Sequence, residues 1–380
     1  MASYENLPSV SSPSIILTNP TESERRLIWK ATHPQWGGAL TVDDYVDRET
    51  YLLDSPLARN GGLTAWMLTD GSLAPDSRPI LSSFESYKKR AIVAGKDGVV
   101  REVTSHGVAS VFTFTQCRGK GYARKMMALF AQELRAAQDK RDGDAAFSVL
   151  WSDIGKEFYN SVGWKPFQST YLEFPITKAL VPQDGDLKLV SFEDLPSLAA
   201  QDEKLLRNMI STNSSKTRAV VLPDLDTLQW HLIREDAMCK YIFSRTPSAR
   251  GAIYTPSDAP NSRVWAIWTR AFYGGIAKPE KNTLYFIRLV IENEDISDEE
   301  LAKGLKAIVS VAQKEAPEWL CTKAEIWNPT DRVKEVAAGI EELGAQFKVR
   351  ENDNLASLQW FGHGTVDEVD WVASEKYAWC

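Results

Sequence analysis

The chain is predicted to be an α/β protein in two parts, with mostly antiparallel sheets flanked by helices. Three observations carry that reading. Runs rich in β-branched and aromatic residues alternate with amphipathic helical runs along the 380 residues. That length corresponds to about two domains. A stretch rich in Pro, Gly and Asp, "LVPQDGDLKLV" (180–190), breaks the pattern near the middle.

In chain order, residues 1–13 are rich in Ser and Pro and predict a flexible N-terminal arm. "SIILTN" (14–19) has strand composition, and 20–33 begins with turn and cap residues before apolar positions at helical spacing. In 41–55, Thr41 is a suitable N-cap, and Asp43 and Asp44 fall in the first turn, where the helix dipole favours anions. Residues 63–68, 79–93 and 107–115 read as three successive strands. The clearest helix covers 122–140, with Leu129, Phe130, Leu134 and Ala137 on one face. A buried strand (145–152), a short helix closed by Gly163 (155–164) and a strand (169–175) complete a first domain over 14–178.

After a linker at 179–190, a second α/β domain is expected over 191–366. Helical patterns at 192–211 and 225–243 lead to strand-like runs at 250–256, 263–273 and 283–292. A helix with an acidic first turn (298–316), a strand (323–329), a helix (330–346) and a strand (355–362) follow. This succession matches that of the first domain without any residue-level repeat, as in a degenerate second copy. Residues 367–380 form an aromatic tail.

Composition narrows the function. Apolar residues make up 43% and charged residues 25%, as in ordinary globular proteins. The net charge of −7 and the lack of a long basic run argue against nucleic acid or an anionic membrane as partner. An acidic chain suits a cationic ligand such as an amine, although solubility explains the same balance. Cys117, Cys239, Cys321 and Cys380 are far apart and form no CxxC pair, which predicts no metal site and a reducing, cytoplasmic setting. The N-terminus lacks the basic region and apolar core of a secretory leader, and no apolar run is long enough to span a bilayer. Most of the 13 Trp, among them Trp265 and Trp268, are expected in the core. No feature signals a particular oligomeric state.

One segment carries chemistry. Arg118, Gly119, Lys120, Gly121, Tyr122 and Ala123 lie between an apolar strand and a strong helix. The first N–H groups of a helix have no intrahelical partner, and with the dipole they form an anion site. The glycines allow close backbone approach, and Arg118 and Lys120 can add charge-assisted hydrogen bonds. The spacing is neither the GxGxxG of a dinucleotide fold nor the GxxxxGK[ST] of a P-loop.

The pattern R-x-x-G-x-A, Arg118 to Ala123, resembles the coenzyme A motif of the GCN5-related N-acetyltransferases, the GNAT superfamily. "WSDIGKEFYNSVGW" (151–164) is similar to the other hallmark of that superfamily, a strand followed by a short FYxxxGW helix. The resemblance implies a GNAT fold and acetyl-CoA as co-substrate, bound where one strand splays from its neighbour. It implies that the pyrophosphate rests on residues 118–123, that backbone at Val111 and Thr113 meets the pantetheine arm, and that Tyr159 protonates the leaving thiolate. The attacking amine must be neutral, so a base is required. The candidates are Glu85, Glu102 and His106; by strand alternation Glu85 shares a face with Ser83 and Tyr87. Cys117 has no apparent His or Asp partner and reads as a turn residue.

A closer resemblance covers nearly the whole chain. Trp36 with "LTVDDYVDRETYLL", "LTAWMLTDG" and "ILSSFESYKKRAIV", then "WHLIRED" (230–236), "IWTR" (267–270), "YFIRLVIE" and "IWNP", is similar to the fungal lysine N6-acetyltransferase family of lysine catabolism. This implies acetyl transfer to the side-chain amine of free L-lysine, a small-molecule acceptor. Trp36, Glu85 and Arg234 are its expected contacts, with Arg234 able to clamp a carboxylate. A different amine, a secondary-metabolite intermediate, and a GNAT-like protein that binds without transfer are the alternatives. Phe84, where a smaller residue is expected, would alter specificity if it faces the acceptor. The second domain has no R-x-x-G-x-A loop, so it is expected to close the acceptor pocket rather than bind coenzyme. Trp371, Tyr377 and Trp379 predict that the tail docks. By analogy with another multi-domain GNAT group, docking near the acyl site would offer the Cys380 carboxylate as a base.

Overall fold

The computed structural model describes residues 4, 6–138, 145–176 and 186–379. The chain runs β1 (Ile15–Thr18), α1 (Glu22–Trp36), α2 (Val42–Leu52), β2 (Leu63–Asp70), β3 (Ser82–Ala94), β4 (Val100–Thr113), α3 (Tyr122–Gln138), β5 (Ala145–Ser152), α4 (Glu157–Asn160), β6 (Lys165–Pro166) and β7 (Thr170–Pro175). It continues with β8 (Leu187–Val190), α5 (Leu195–Ile210), β9 (Thr217–Val221), α6 (Leu225–Phe243), β10 (Gly251–Tyr254), β11 (Val264–Phe272) and β12 (Asn282–Ile291). The last elements are α7 (Asp298–Glu318), β13 (Lys323–Trp327), α8 (Asp331–Ala338), β14 (Gln346–Val349), β15 (Leu355–Trp360) and β16 (Val369–Trp371). Among the described residues no helix is long and apolar enough to cross a membrane.

Local chemistry sets the helix starts. The Thr21 side chain accepts the Glu24 N–H at 3.1 Å while the Glu24 carboxylate accepts the Thr21 N–H at 2.8 Å, a capping box that opens α1. Thr41 caps α2 as its sequence implies. Asp224, Ser297 and Thr330 do the same for α6, α7 and α8.

The strands form two sheets. One has the order β1-β2-β3-β4-β5-β15-β6, with β9 added to the far end of β3 and β16 to β9. The other has the order β14-β7-β13-β12-β11-β10-β8. Pairing is antiparallel except for β4–β5, β12–β13 and β9–β16. Each sheet contains a long hairpin, a helix and a strand that returns parallel: β3–β4, α3, β5 in one and β11–β12, α7, β13 in the other. The degenerate second copy is therefore present in the backbone.

The two copies exchange strands. β7, inside the 14–178 segment, pairs with β13, whereas β15, inside the 191–366 segment, pairs with β5. Neither segment completes its own sheet. The end of the linker is also a strand, since β8 pairs with β10; linker residues up to 185 lie outside the described residues. One apolar cluster joins the sheets, with Phe147, Val149, Leu358, Trp265, Ile267, Trp327, Trp371 and Tyr377 all buried in it. Trp268 is buried in the core that α7 forms with the second sheet.

Other expectations are corrected. Among the described residues of the N-terminal stretch, Tyr4, Leu7 and Val10 pack on the core beneath α3. β4 begins at Val100, well before the strand read from 107, because Arg101 and Glu102, both exposed, hide the apolar signal. The helix expected over 330–346 stops at Ala338; Gly344 turns the chain with φ of +60° and β14 follows.

Charges are buried where the second part is tied together. Glu235 accepts from both Arg250 (2.9 Å) and Arg270 (2.8 Å), and all three side chains are inaccessible. Removing one partner of such a group strands the others in a medium of low dielectric. Glu235→Ala should therefore cost about 3–5 kcal/mol of stability, read as a lowered midpoint in guanidinium chloride at pH 7.

Candidate active site

The phosphate loop predicted from the sequence lies between β4 and α3. After Thr113 a single 3-10 turn, Thr115–Cys117, redirects the chain. Gly119 and Gly121 then adopt φ of +75° and +83°, values that strongly favour glycine. The Arg118 Nε donates to the Thr113 carbonyl at 3.1 Å, and its guanidinium lies over the Phe112 ring at 5.6 Å. A cavity of about 220 Å³ faces this loop, lined by Thr113, Cys117, Arg118, Gly119, Gly121, Tyr122, Ala123, Arg124 and Phe158. Lys120 is exposed and does not line it. The Tyr122 phenol is buried and donates to the Pro8 carbonyl at 2.5 Å, so the arm is pinned beside the loop and Tyr122 offers only its backbone. Cys117 is buried in the turn, and burial pushes its thiol up to about 11, which suits the structural role expected of it.

Strand geometry opens the adjoining chamber. β4 and β5 are paired in parallel only from Thr104 to Val108, although β4 runs on to Thr113 and β5 to Ser152. On the other side of β4, Ser83 faces Phe112 but Glu85 faces Ala109, so Ser110 and Val111 together oppose Phe84. This is a β-bulge, with Ser110 at φ of +55°. The strands part here, and a cavity of about 380 Å³ fills the gap. Val111, Phe112 and Thr113 line one side, and Leu150, Trp151, Asp153, Phe158 and Tyr159 the other. Thr113, Arg118, Ala123 and Phe158 border both cavities, so loop and chamber are continuous.

Glu85 lies at the bulge and lines this cavity. The Trp29 indole donates to one carboxylate oxygen at 3.3 Å and the Ser110 hydroxyl to the other at 3.1 Å. Burial pushes this carboxyl up, the Glu49 charge pushes it further, and the two hydrogen bonds and Arg25 offset part of the rise, leaving it at about 7. Tyr159 also lines the chamber, and burial with the Asp153 charge keeps its phenol well above the usual range. It therefore keeps its proton at neutral pH.

The other candidate bases are elsewhere. His106 points to the opposite face of the sheet, edge-on to Phe130 at 6.4 Å, and does not line the cavity. Burial and Lys88 push it down to about 4, which leaves it neutral. Glu102 is exposed and paired with Arg207. Phe84 faces α3, 4.7 Å from Phe130 and stacked on Trp66, so it does not reshape the chamber. Cys380 lies outside the described residues.

The remaining walls come from both halves of the chain. Trp36 sits edge-on to Phe112 at 6.3 Å. Tyr45, Arg48 and Glu49 enter from α2, Trp230 and Arg234 from α6, and Tyr273 and Trp379 from later segments. Arg48 is paired with Glu49 and donates to the Met238 sulfur at 3.2 Å. Among the described residues no carboxylate is ion-paired with Arg234, which lies over the Trp379 ring at 5.8 Å. Burial and the nearby Arg48 charge press its basicity down. The indole N–H groups of Trp151 and Trp230 are buried without a partner among the described residues. Such donors carry a cost that an incoming acceptor group can relieve. The sequence reading missed Arg48 and Glu49, which sit on a polar helix face whose burial depends on α6 packing against it.

Comparison with known proteins agrees with this architecture. Residues 171–380 match the family model described as the LYC1 GNAT-like C-terminal domain. An uncharacterised protein of Saccharomyces cerevisiae is 25% identical over 392 aligned residues, spanning 90% of this chain and 92% of that protein. A lysine acetyltransferase of Yarrowia lipolytica is 26% identical over 265 residues, 58% of this chain and 65% of the relative. Two bacterial structures share the fold. A probable N-acyltransferase of Enterococcus faecalis has a TM-score of 0.56 at 14% identity, over 91% of this chain and 73% of that one. A GCN5-related N-acetyltransferase of Anabaena variabilis has a TM-score of 0.52 at 12% identity, over 92% and 73%.

The Glu85 environment makes a stability prediction. An unfolded glutamate titrates near ~4.3, whereas the folded one titrates at about 7. Between these values the folded state holds the extra proton, so this group lowers stability as pH rises. Glu85→Gln should melt close to the unaltered protein at pH 5 and above it at pH 8, in paired calorimetric scans.

Proposed function

The chain belongs to the LYC1 GNAT-like C-terminal domain family, and on that premise we propose that it transfers an acetyl group from acetyl-CoA to the side-chain amine of free L-lysine. It is an acetyl-transferring enzyme of the GNAT type. The observation that carries the lysine reading is the bipolar chamber: the Glu85 and Glu49 carboxylates and the Arg234 guanidinium border one cavity. A molecule with an amine at one end and a carboxylate at the other complements that arrangement. The name of the Yarrowia lipolytica relative supports the same substrate.

The phosphate end of the co-substrate fits the loop at residues 118–123, where two positive-φ glycines clear the backbone of side chains and Arg118 supplies charge. The backbone of Val111 and Thr113 borders the path from this loop to the strand gap. Glu85 takes the proton of the attacking amine. The new C–N bond forms as the C–S bond breaks, and Tyr159 gives its proton to the departing sulfur. A base at about 7 is about half ionised at neutral pH and still basic enough to accept a proton. Trp36 closes the chamber beside Phe112, and Arg234 receives the acceptor carboxylate.

A thiol-release assay with acetyl-CoA and a panel of amines tests this. Lysine should be acetylated well, and Tyr159→Phe should lower kcat by about 10²-fold. Arg234→Met should raise the KM for lysine by roughly tenfold or more while leaving 1,5-diaminopentane, which lacks the carboxylate, unaffected. If 1,5-diaminopentane were used as well as lysine and both responded equally to Arg234→Met, the carboxylate reading would fail. The pH profile offers a separate check: kcat/KM should rise through about 7 as Glu85 ionises, and this limb should disappear in Glu85→Gln.

A further inference from the structure

The second sheet repeats the geometry that opens the chamber in the first. β12 and β13 are paired in parallel only at Leu284–Phe286 with Ala324–Ile326, although β12 runs on to Ile291. The two strands therefore part, as β4 and β5 do. Here the gap is taken by the chain itself. The Glu375 carboxylate accepts the Leu289 N–H at 3.0 Å, a β12 donor on the side away from β11, and it is ion-paired with Arg288. The Asn328 amide, just past β13, donates to the Ser374 carbonyl at 2.6 Å. Lys376 rests on the Trp327 ring at 4.0 Å. The C-terminal segment thus occupies the place that corresponds, in the first sheet, to the strand gap of the active site.

From this anchorage the segment crosses to the first sheet. Lys89 donates to the Ala378 carbonyl at 2.9 Å, and a His231 ring nitrogen meets the Tyr377 carbonyl at 3.0 Å. These contacts deliver the Trp379 indole into the chamber wall beside Trp230, under the Arg234 guanidinium. We propose that Trp379 is a specificity-determining residue of the acceptor pocket, held there by a tail that fills the second sheet's strand gap. The indole backs Arg234 from the side opposite its ligand and fixes where an acceptor carboxylate is received. A cation over an indole face is held electrostatically without consuming its hydrogen-bond donors. The donors of Arg234 therefore stay available to the acceptor. This inference rests on the acetyltransferase reading above.

The test is steady-state kinetics of Trp379→Ala, Trp379→Phe and Lys89→Met, with the KM for the amine and the KM for acetyl-CoA measured separately and a melting temperature for each variant. The amine is whichever member of the panel the unaltered enzyme uses best. Trp379→Ala should raise the amine KM roughly tenfold and leave the acetyl-CoA KM within about twofold. It should also lower the preference for lysine over 1,5-diaminopentane. Trp379→Phe, which keeps an aromatic face, should recover most of the loss, and Lys89→Met, which releases the Ala378 and Trp379 carbonyls, should reproduce it. An unchanged amine KM in Trp379→Ala, or equal rises in both KM values, would overturn the proposal. Efficient use of another carboxylate-bearing amine with the same Trp379 effect would remove the lysine reading and keep this one. No turnover of any amine would remove both.

Discussion

The divergence of two parallel strands is the constraint on which the rest of this structure depends. β4 and β5 share hydrogen bonds only as far as Val108, and the bulge at Ser110 then turns β4 away. A strand that leaves its neighbour exposes backbone groups that must find other partners. The same departure creates the chamber and aims Glu85 into it, with the Ser110 hydroxyl holding the carboxylate. It also leaves room for α4 to bring Tyr159 to the far side. A buried carboxyl and a buried phenol are thus placed on opposite walls by one backbone irregularity.

The second copy of the fold serves the first. Its own strand gap is filled by the C-terminal segment, and its counterpart of the glycine loop is missing. It contributes instead α6 with Trp230 and Arg234, and Tyr273 just beyond β11. The exchange of β7 and β15 between sheets makes this contribution rigid, because neither sheet is complete without a strand from the other segment. A chamber walled by both halves needs their relative position fixed to a fraction of an ångström. Strand exchange, a shared apolar cluster and the buried Arg288–Asp202–Glu375 group supply that fixity.

Electrostatics assigns roles to residues of the same type. Glu85 and Glu235 are both glutamates in the interior. Glu235 accepts from two guanidinium groups and is structural. Glu85 receives only an indole and a hydroxyl, stands near a second carboxylate, and is left with a proton affinity suited to exchange. Arg234 and Arg270 divide similarly: Arg270 is neutralised by Glu235 and Glu315, whereas Arg234 is met by an aromatic face and a second cation.

The sequence alone determined the parts whose cause is local. Capping residues and apolar spacing located the major helices, and the Arg118–Ala123 pattern located the glycine turn ahead of α3, because a helix start and a positive-φ turn are specified by neighbours in the chain. Tyr159 and Glu85, which line the chamber, were singled out by the short motif and the strand alternation around them. Only the tertiary structure decided the rest. The short strands β9, β14 and β16 carry little periodic signal and exist because a longer strand offers them an edge. The exchange of β7 and β15 leaves no trace in either segment, since a strand's own pattern does not name its partner. The exclusion of His106 followed from the sheet face it occupies, and the entry of Arg48, Glu49 and Trp379 from helices and a tail brought together across hundreds of residues. Those placements are set by long-range packing, which no local pattern of residues encodes.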